Sequence, residues 1–305
     1  AALQTPPPVS IRLHPTHRTR SNSLEHPYES LPAVPWHPDG RYLPERPVFT
    51  LDPTFQAGAY YVQEASSMFL YEALRQSVDF SKKLKVLDLC AAPGGKSTLI
   101  ASMLQPDTDL LVSNEVIRSR VSSLRENMEK WGAPNTAVSS ADAADLGALE
   151  DWFDVVVTDA PCSGEGLFRK DADAIREWSP SAVEMCAGRQ RRILASAVAA
   201  LAPGGVLIYS TCTYNRDEND LNAAWVAREM ELDLLRLDLP AAWNIVETEY
   251  GYQFFPHRLR GEGFFMAVFR KKEAPARKHS PAAGFKNLRP IPKNQVPEAA
   301  GWLQP

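Results

Sequence analysis

Val86-Leu-Asp-Leu-Cys-Ala-Ala-Pro-Gly-Gly-Lys96 joins a buried apolar run to a glycine-rich turn and opens directly into a helical pattern near Ser97–Leu104. A strand that ends in such a turn beside a helix N-terminus holds a nucleotide-like ligand over the carboxyl ends of an α/β sheet. Two common ligands are disfavoured by the same residues. A Walker A loop needs glycine five positions before its Gly-Lys-Ser, and Cys90 stands there; the dinucleotide pattern G-x-G-x-x-G is also missing. An NTPase and a dehydrogenase are therefore the weaker readings.

Outward from this turn, apolar runs of strand length alternate with amphipathic helices. Strands are predicted at Lys85–Cys90, Leu110–Asn114, Phe153–Asp159 and Val206–Thr211, with helices at Arg118–Trp131 and Ser181–Leu201 between them. This alternation predicts an α/β chain with a mainly parallel sheet and crossover helices. Ser179-Pro180 supplies a cap and a first helical residue, and Ala202-Pro203-Gly204-Gly205 reads as a breaker. Upstream, Gln63–Ser77 has helical spacing, and the proline-rich first 50 residues hold one strand candidate, Val9–Leu13. Downstream, Tyr252–Phe255 and Phe264–Arg270 are predicted to form an antiparallel pair. From Glu273 the chain is rich in Pro and Ala without periodicity, and reads as a linker.

The strand ends carry the chemistry. Glu115 follows the second strand, where such folds bind ribose hydroxyls, and Asp142 follows a weak strand at Ala137–Ser140. After the next strand stands Asp159-Ala-Pro-Cys162. Enzymes that methylate exocyclic amines place an aromatic where this thiol lies, so the segment fits covalent chemistry better. A second thiol, Cys212 in Ser210-Thr-Cys-Thr213, ends a neighbouring strand and is expected to face the same crevice. Carbon 5 of cytosine attacks a sulfonium methyl poorly, but a thiolate added to carbon 6 pushes electrons onto carbon 5. Which cysteine attacks is open on these residues. Cys186, and in part Cys90, read as small buried apolar side chains.

Composition narrows the setting. The 305 residues are 44% hydrophobic and carry a net charge of -4, which argues against indiscriminate coating of nucleic acid. No run of about 20 apolar residues appears, and the start lacks a secretory pattern. Four cysteines without a C-x-x-C pair suit a reducing cytoplasm and predict no metal site. His14 and His17 read as solvated loop residues. Arg12, Arg18 and Arg20 near the start, and Arg258, Arg260, Arg270, Lys271, Lys272, Arg277 and Lys278 near the end, read either as solvated surface or as phosphate contacts. Arg169, Lys170, Arg189, Arg191 and Arg192 are further candidates for phosphate contacts, the last three reading rather as an ordinary solvated helix face.

Together DLCAAPGGK, DAPCSGEG and YSTCT resemble the Nop/Sun family of RNA cytosine-C5 methyltransferases, from about Tyr60 to Lys272. The segments APCSGEGLFRKD, Trp178-Ser-Pro180 and GEGFF most resemble its bacterial RsmF (YebU) type, which modifies 16S rRNA. The resemblance implies a Rossmann-like fold with S-adenosylmethionine as cofactor and RNA, as rRNA or the small ribosomal subunit, as partner; no membrane partner is expected, and a monomer is the default. It implies Cys212 as nucleophile and Cys162 in product release. It places Asp159 against the cytosine or the cofactor, with Lys96 organising that site. Cys90, Ala91, Ala92, Pro93, Gly94, Gly95, Lys96, Glu115, Asp142 and Asp159 would bind the cofactor. The expected organisation is an RNA-binding N-terminal α+β subdomain at 1–58, a catalytic domain at 59–272 and a tail at 273–305. Transfer to tRNA and a non-catalytic assembly role stay open. The chain starts without Met, and its tail stops where RsmF-type proteins continue into a C-terminal RNA-binding domain, so a trimmed product is expected.

Overall fold

The computed structural model describes residues 2–15 and 28–274; His17, Arg18, Arg20, Arg277, Lys278 and the tail beyond Ala274 lie outside them. Residues up to Ala274 form one unit. Its main sheet has the order β10-β11-β12-β8-β7-β4-β5-β6. The parallel half comprises β4 (Lys85–Asp88), β5 (Leu110–Asn114), β6 (Thr136–Ser139), β7 (Phe153–Asp159) and β8 (Leu201–Thr211). An antiparallel edge adds β9 (Leu232–Leu234), β10 (Val246–Glu247), β11 (Tyr252–Phe254) and β12 (Phe264–Lys271). This is a Rossmann-like, mainly parallel sheet, preceded by a small N-terminal sheet.

Both faces of the sheet are covered, which explains the continuous apolar runs. Val86, Val155, Val157 and Ile208 pack on one side with α3 (Gly95–Ala101) and α4 (Arg118–Trp131). Leu87, Val156, Leu207 and Tyr209 pack on the other with α7 (Pro180–Ala200) and α8 (Asp220–Glu229). Short helices α1 (Pro53–Gln56), α2 (Leu70–Ser77), α5 (Ala143–Gly147) and α6 (Ala172–Glu177) complete the described helices used below. No helix among the described residues is long and apolar enough to cross a membrane.

Strand order reverses at β4, since β5 and β6 lie on one side and β7 and β8 on the other. A crevice opens at such a switch point, outside the carboxyl ends of the strands. The loops after β4 and β7 both leave from it.

Several local expectations change. The helix expected from Gln63 begins as a tight turn at Ser66, because the Glu64 carboxylate accepts the N–H groups of Ser66 and Ser67 (2.9 and 3.0 Å). Ala202–Gly205 does not break the chain. Leu201 still pairs with Phe153 and Val206 with Val155, so the residues between bulge out of β8, with Gly204 at φ 74°. The N-terminal region has three strands, with β1 (Val9–Leu13) between β2 (Gly40–Leu43) and β3 (Tyr60–Val62).

Arg12 of β1 is fully buried and is no phosphate contact. Its Nε donates to Gln63 Oε1 (2.8 Å), one Nη donates to Thr98 Oγ1 (2.6 Å), and the guanidinium lies 4.4 Å from the Trp131 ring. It therefore fastens the small sheet to α3 and α4. His14 is likewise buried, not solvated: its Nε2 lies 3.1 Å from the Trp131 carbonyl oxygen. Arg270 and Lys271 are also structural. Arg270 donates to Gly204 and Ser77 carbonyls, and Lys271 pairs with Asp151 at 2.8 Å.

Candidate active site

After β4 the chain turns through Cys90–Gly94 into α3. Gly94 sits at φ 114°, a conformation costly for any residue with a Cβ. Neighbouring elements fix the turn. The Asn127 amide donates to Pro93 O (2.8 Å) and Arg120 donates to Ala92 O (2.6 Å). Asn114 donates to Leu89 O and Ala141 O (both 3.1 Å) and accepts from Ala141 N (3.0 Å), tying together the ends of β4, β5 and β6.

A cavity of about 190 Å³ lies over the turn. Cys90–Pro93, Gly95, Lys96 and Asp159 form one wall, and Tyr61, Gln63 and Glu64 reach across from the N-terminal side. Beneath the turn, buried Asp88 accepts from Ser97 Oγ (2.6 Å) through one oxygen, and its other oxygen has no partner. Burial pushes this carboxyl up to about 7. Burial also pushes the Cys90 thiol up, so it is a poor nucleophile and a wall residue.

The two further acids stand outside that cavity wall. Glu115 is buried at the end of β5, accepts from Ile117 N (2.8 Å) and pairs with Arg120 (3.3 Å). Arg120 thus links Glu115 to the turn. Asp142 is exposed and caps α5 by accepting from Ala144 N (2.9 Å). The cavity over the turn, with Lys96 and Asp159 in its wall and carboxylates at the ends of the neighbouring strands, fits an adenosyl group carrying an amino acid.

Lys96 and Asp159 form an ion pair across the crevice at 2.8 Å, and Ser210 Oγ donates to the other Asp159 oxygen (2.7 Å). Asp159 and Ser210 are register partners in parallel β7 and β8. The two chains therefore leave the sheet side by side and bring Cys162 and Cys212 together, with sulfurs 3.1 Å apart. A hydrogen bond from the Cys162 thiol lowers the pKa of Cys212, and Lys96 lowers it further against the opposing effect of burial. The same bond, with burial, pushes Cys162 up. Of the two thiols, Cys212 is thus the one that ionises more readily, with Cys162 as its hydrogen-bond donor. Alkylation of Cys212 is expected to titrate below the ordinary thiol value of ~8.5. Cys162→Ala is expected to move the midpoint upward; an unperturbed midpoint in the unmodified chain would contradict this charge distribution.

Supports for the thiols were not read from the sequence. Glu165 accepts from Tyr214 N (2.8 Å), Asn215 N (3.0 Å) and Trp178 Nε1 (2.9 Å), holding the chain just past Cys212. Fully buried Glu218 accepts from Ser163 N (2.9 Å) and Gln190 Nε2 (2.7 Å), holding the chain just past Cys162. Gly166 N–H donates to Cys212 O at 2.7 Å, and a Cβ at Gly166 would meet that oxygen at 2.6 Å. Gly166→Ala is expected to cost about 1–3 kcal/mol by this overpacking and to change the alkylation rate of Cys212. Gly188→Ala is the control, because nothing lies within 4 Å of its added Cβ; thermal unfolding of both variants checks the difference. Of the other basic candidates, Arg169 is engaged by Thr5, Pro6 and Glu262, and Arg191 by Asn222.

Comparison with known proteins places the fold and the family. The family model described as 16S rRNA methyltransferase RsmB/F matches residues 76–270, and that of the N-terminal domain of 16S rRNA methyltransferase RsmF matches residues 1–65. Ribosomal RNA small subunit methyltransferase F of Cronobacter sakazakii is 40% identical over 250 residues, which are 79% of this chain and 52% of that protein. The chain therefore spans about half the length of this relative. A solved methyltransferase homolog from Pyrococcus horikoshii is 28% identical, with a TM-score of 0.68 and 88% of each chain covered. NSun6 from the same organism, solved with SFG, is 27% identical with a TM-score of 0.64, covering 78% of this chain and 58% of its own. With its cofactor-type turn, its acids at strand ends and its thiol pair all inside the matched segment, the chain belongs to the RsmB/F family of 16S rRNA methyltransferases.

Proposed function

We propose that this chain is the catalytic part of an S-adenosylmethionine-dependent methyltransferase that modifies carbon 5 of a cytosine in 16S rRNA, with Cys212 as nucleophile. The observation that carries the reading is the pair of sulfurs 3.1 Å apart beside the Lys96–Asp159 pair. The family and the names of its curated relatives support rRNA as the substrate. The SFG bound to the Pyrococcus NSun6, an S-adenosylmethionine analogue, supports the cofactor.

The turn Cys90, Ala91, Ala92, Pro93, Gly94, Gly95, Lys96, together with Glu115, Asp142 and Asp159, would hold the cofactor. When bound it supplies an electrophilic methyl group. The Cys212 thiolate adds to carbon 6 of the cytosine, and the displaced ring electrons make carbon 5 nucleophilic. Asp159, fixed by Lys96 and Ser210, is placed to contact the base or the cofactor's amino-acid end. After methylation the proton on carbon 5 must pass to a base. The electrons of that C–H bond then restore the ring double bond as the sulfur–carbon 6 bond breaks. The Cys162 sulfur lies 3.1 Å from the nucleophile, and we assign it to this release step. Once Cys212 is bonded to carbon 6 it no longer holds the Cys162 proton, so Cys162 loses that proton to solvent and then accepts the one from carbon 5. The target base must leave its stack to reach the crevice, which costs about a few kcal/mol in a duplex and less in irregular RNA. The N-terminal segment 1–58 is read as the RNA-binding subdomain and 59–272 as the catalytic domain.

The test is transfer of radiolabelled methyl from S-adenosylmethionine to 16S rRNA, small ribosomal subunits and tRNA. Label on carbon 5 of cytosine in the first two supports the proposal. Label in tRNA alone would move the substrate to tRNA. No cofactor binding would leave a non-catalytic RNA-binding role.

A further inference from the structure

A groove of about 1280 Å³ borders the site and shares Val62, Gln63 and Glu64 with the cavity over the cofactor turn. One side is the N-terminal region, with Pro6–Pro8 and Arg46. The other is the turn at Arg169-Lys170 and the loop Pro256–Arg260. The loop leads into β12, whose Phe265 pairs with Thr211 beside the nucleophile. This bank is thus anchored beside the nucleophile, and the N-terminal bank borders the cavity over the turn.

The charge of the groove opposes that of the chain. The protein as a whole is at -4, yet the groove is lined by four arginines and one lysine against two glutamates, Glu45 and Glu64. Glu64 is already spent, because it accepts N–H groups of Ser66, Ser67 and Glu262. Arg169 is also spent, since it holds Thr5 and Pro6 and so fixes the proline wall. Arg46, Lys170, Arg258 and Arg260 remain exposed, with no ion pair among the described residues. Arg260 lies over the Tyr42 ring at 4.2 Å, which leaves the edge of its guanidinium for an anion. An aromatic row connects the two regions. Tyr214, two residues past Cys212, stacks on Phe255 with an interplanar angle of 8°, and Phe255 contacts exposed His257 at 5.4 Å on the groove wall.

We propose that this groove seats the single-stranded RNA flanking the target cytosine, with Lys170, Arg258, Arg260 and Arg46 on its phosphates and His257 against a base. Cations on both banks follow a phosphate backbone, and an aromatic at the wall suits an unpaired base. A strand held there keeps the cytosine next to the thiols. The inference rests on the proposed RNA methyl transfer, but its test separates the two.

The experiment measures binding of a fluorescein-labelled single-stranded RNA of about 20 nucleotides to the 305-residue chain across salt concentrations, beside methyl transfer and cofactor affinity. Lys170→Ala/Arg258→Ala is expected to weaken RNA binding roughly tenfold and to reduce the salt slope by about 1.4, with cofactor affinity unchanged. Lys82→Ala/Arg125→Ala removes equal charge outside the groove and is expected to leave the slope nearly unchanged. Equal slopes for the unmodified chain and the groove variant would overturn the proposal even if the unmodified chain methylates RNA. A duplex of the same sequence competing as well as the single strand would overturn it too. A reduced slope in a chain that transfers no methyl would support the groove while removing the catalytic reading.

Discussion

Cys212→Ala is expected to lower methyl transfer by at least ~10,000-fold while leaving cofactor affinity within about twofold. The reason is the electronic structure of cytosine, since carbon 5 becomes an effective nucleophile only after carbon 6 has been attacked. A loss of that size corresponds to about 5.5 kcal/mol of barrier, far more than the removal of one packing contact would give. Cys162 lies 3.1 Å away but is poorly suited to substitute, because burial and its bond to Cys212 keep it protonated. Comparing methyl transfer and equilibrium cofactor binding in the same preparation checks the prediction. A loss of only about tenfold would indicate that Cys212 assists rather than attacks.

The second large effect has the opposite appearance. Cys162→Ala is expected to abolish turnover yet leave protein covalently attached to RNA, visible as a slow-migrating band in a denaturing gel. Two consequences of this substitution compete. Removing the hydrogen bond from Cys162 raises the pKa of Cys212 and slows attack, and burial also acts in that direction. One pKa unit changes the thiolate fraction by at most about tenfold. Each molecule needs to attack only once to be trapped, whereas every turnover needs release, so the release defect dominates at long times. Adduct should therefore accumulate slowly with Cys162→Ala and be absent from Cys162→Ala/Cys212→Ala. Normal turnover in Cys162→Ala would remove Cys162 from the release step.

Much of this was legible in the sequence because the chemistry sits at strand ends. In a parallel sheet, chains that leave paired strands side by side bring distant residues together. Asp159 and Ser210 are register partners, so thiols 50 positions apart in the chain meet. The glycine-rich turn itself was legible from its local order, since a strand, a turn and a helix follow one another in the sequence as in the fold. Other features depend on contacts that local pattern does not encode. Arg12 alternates with apolar neighbours and reads as outward-facing, yet α3, α4 and Gln63 cover that face. Ala202–Gly205 has the composition of a turn, but Leu201 keeps its sheet partner, so the glycines serve a bulge. Glu165 and Glu218 look like loop carboxylates. Their role appears only when the backbone N–H groups past each cysteine converge on them. Glu115 and Asp142 were legible as acids after strands, but not their ties to Arg120 and to the start of α5.

The most direct measurement is to incubate the chain and S-adenosylmethionine with RNA carrying 5-fluorocytosine at the methylated position, then map the attachment by mass spectrometry. Fluorine in place of the departing proton stops the reaction before release. One adduct is expected, on the peptide containing Cys212. Attachment at Cys162 would exchange the roles of the two thiols and contradict the account.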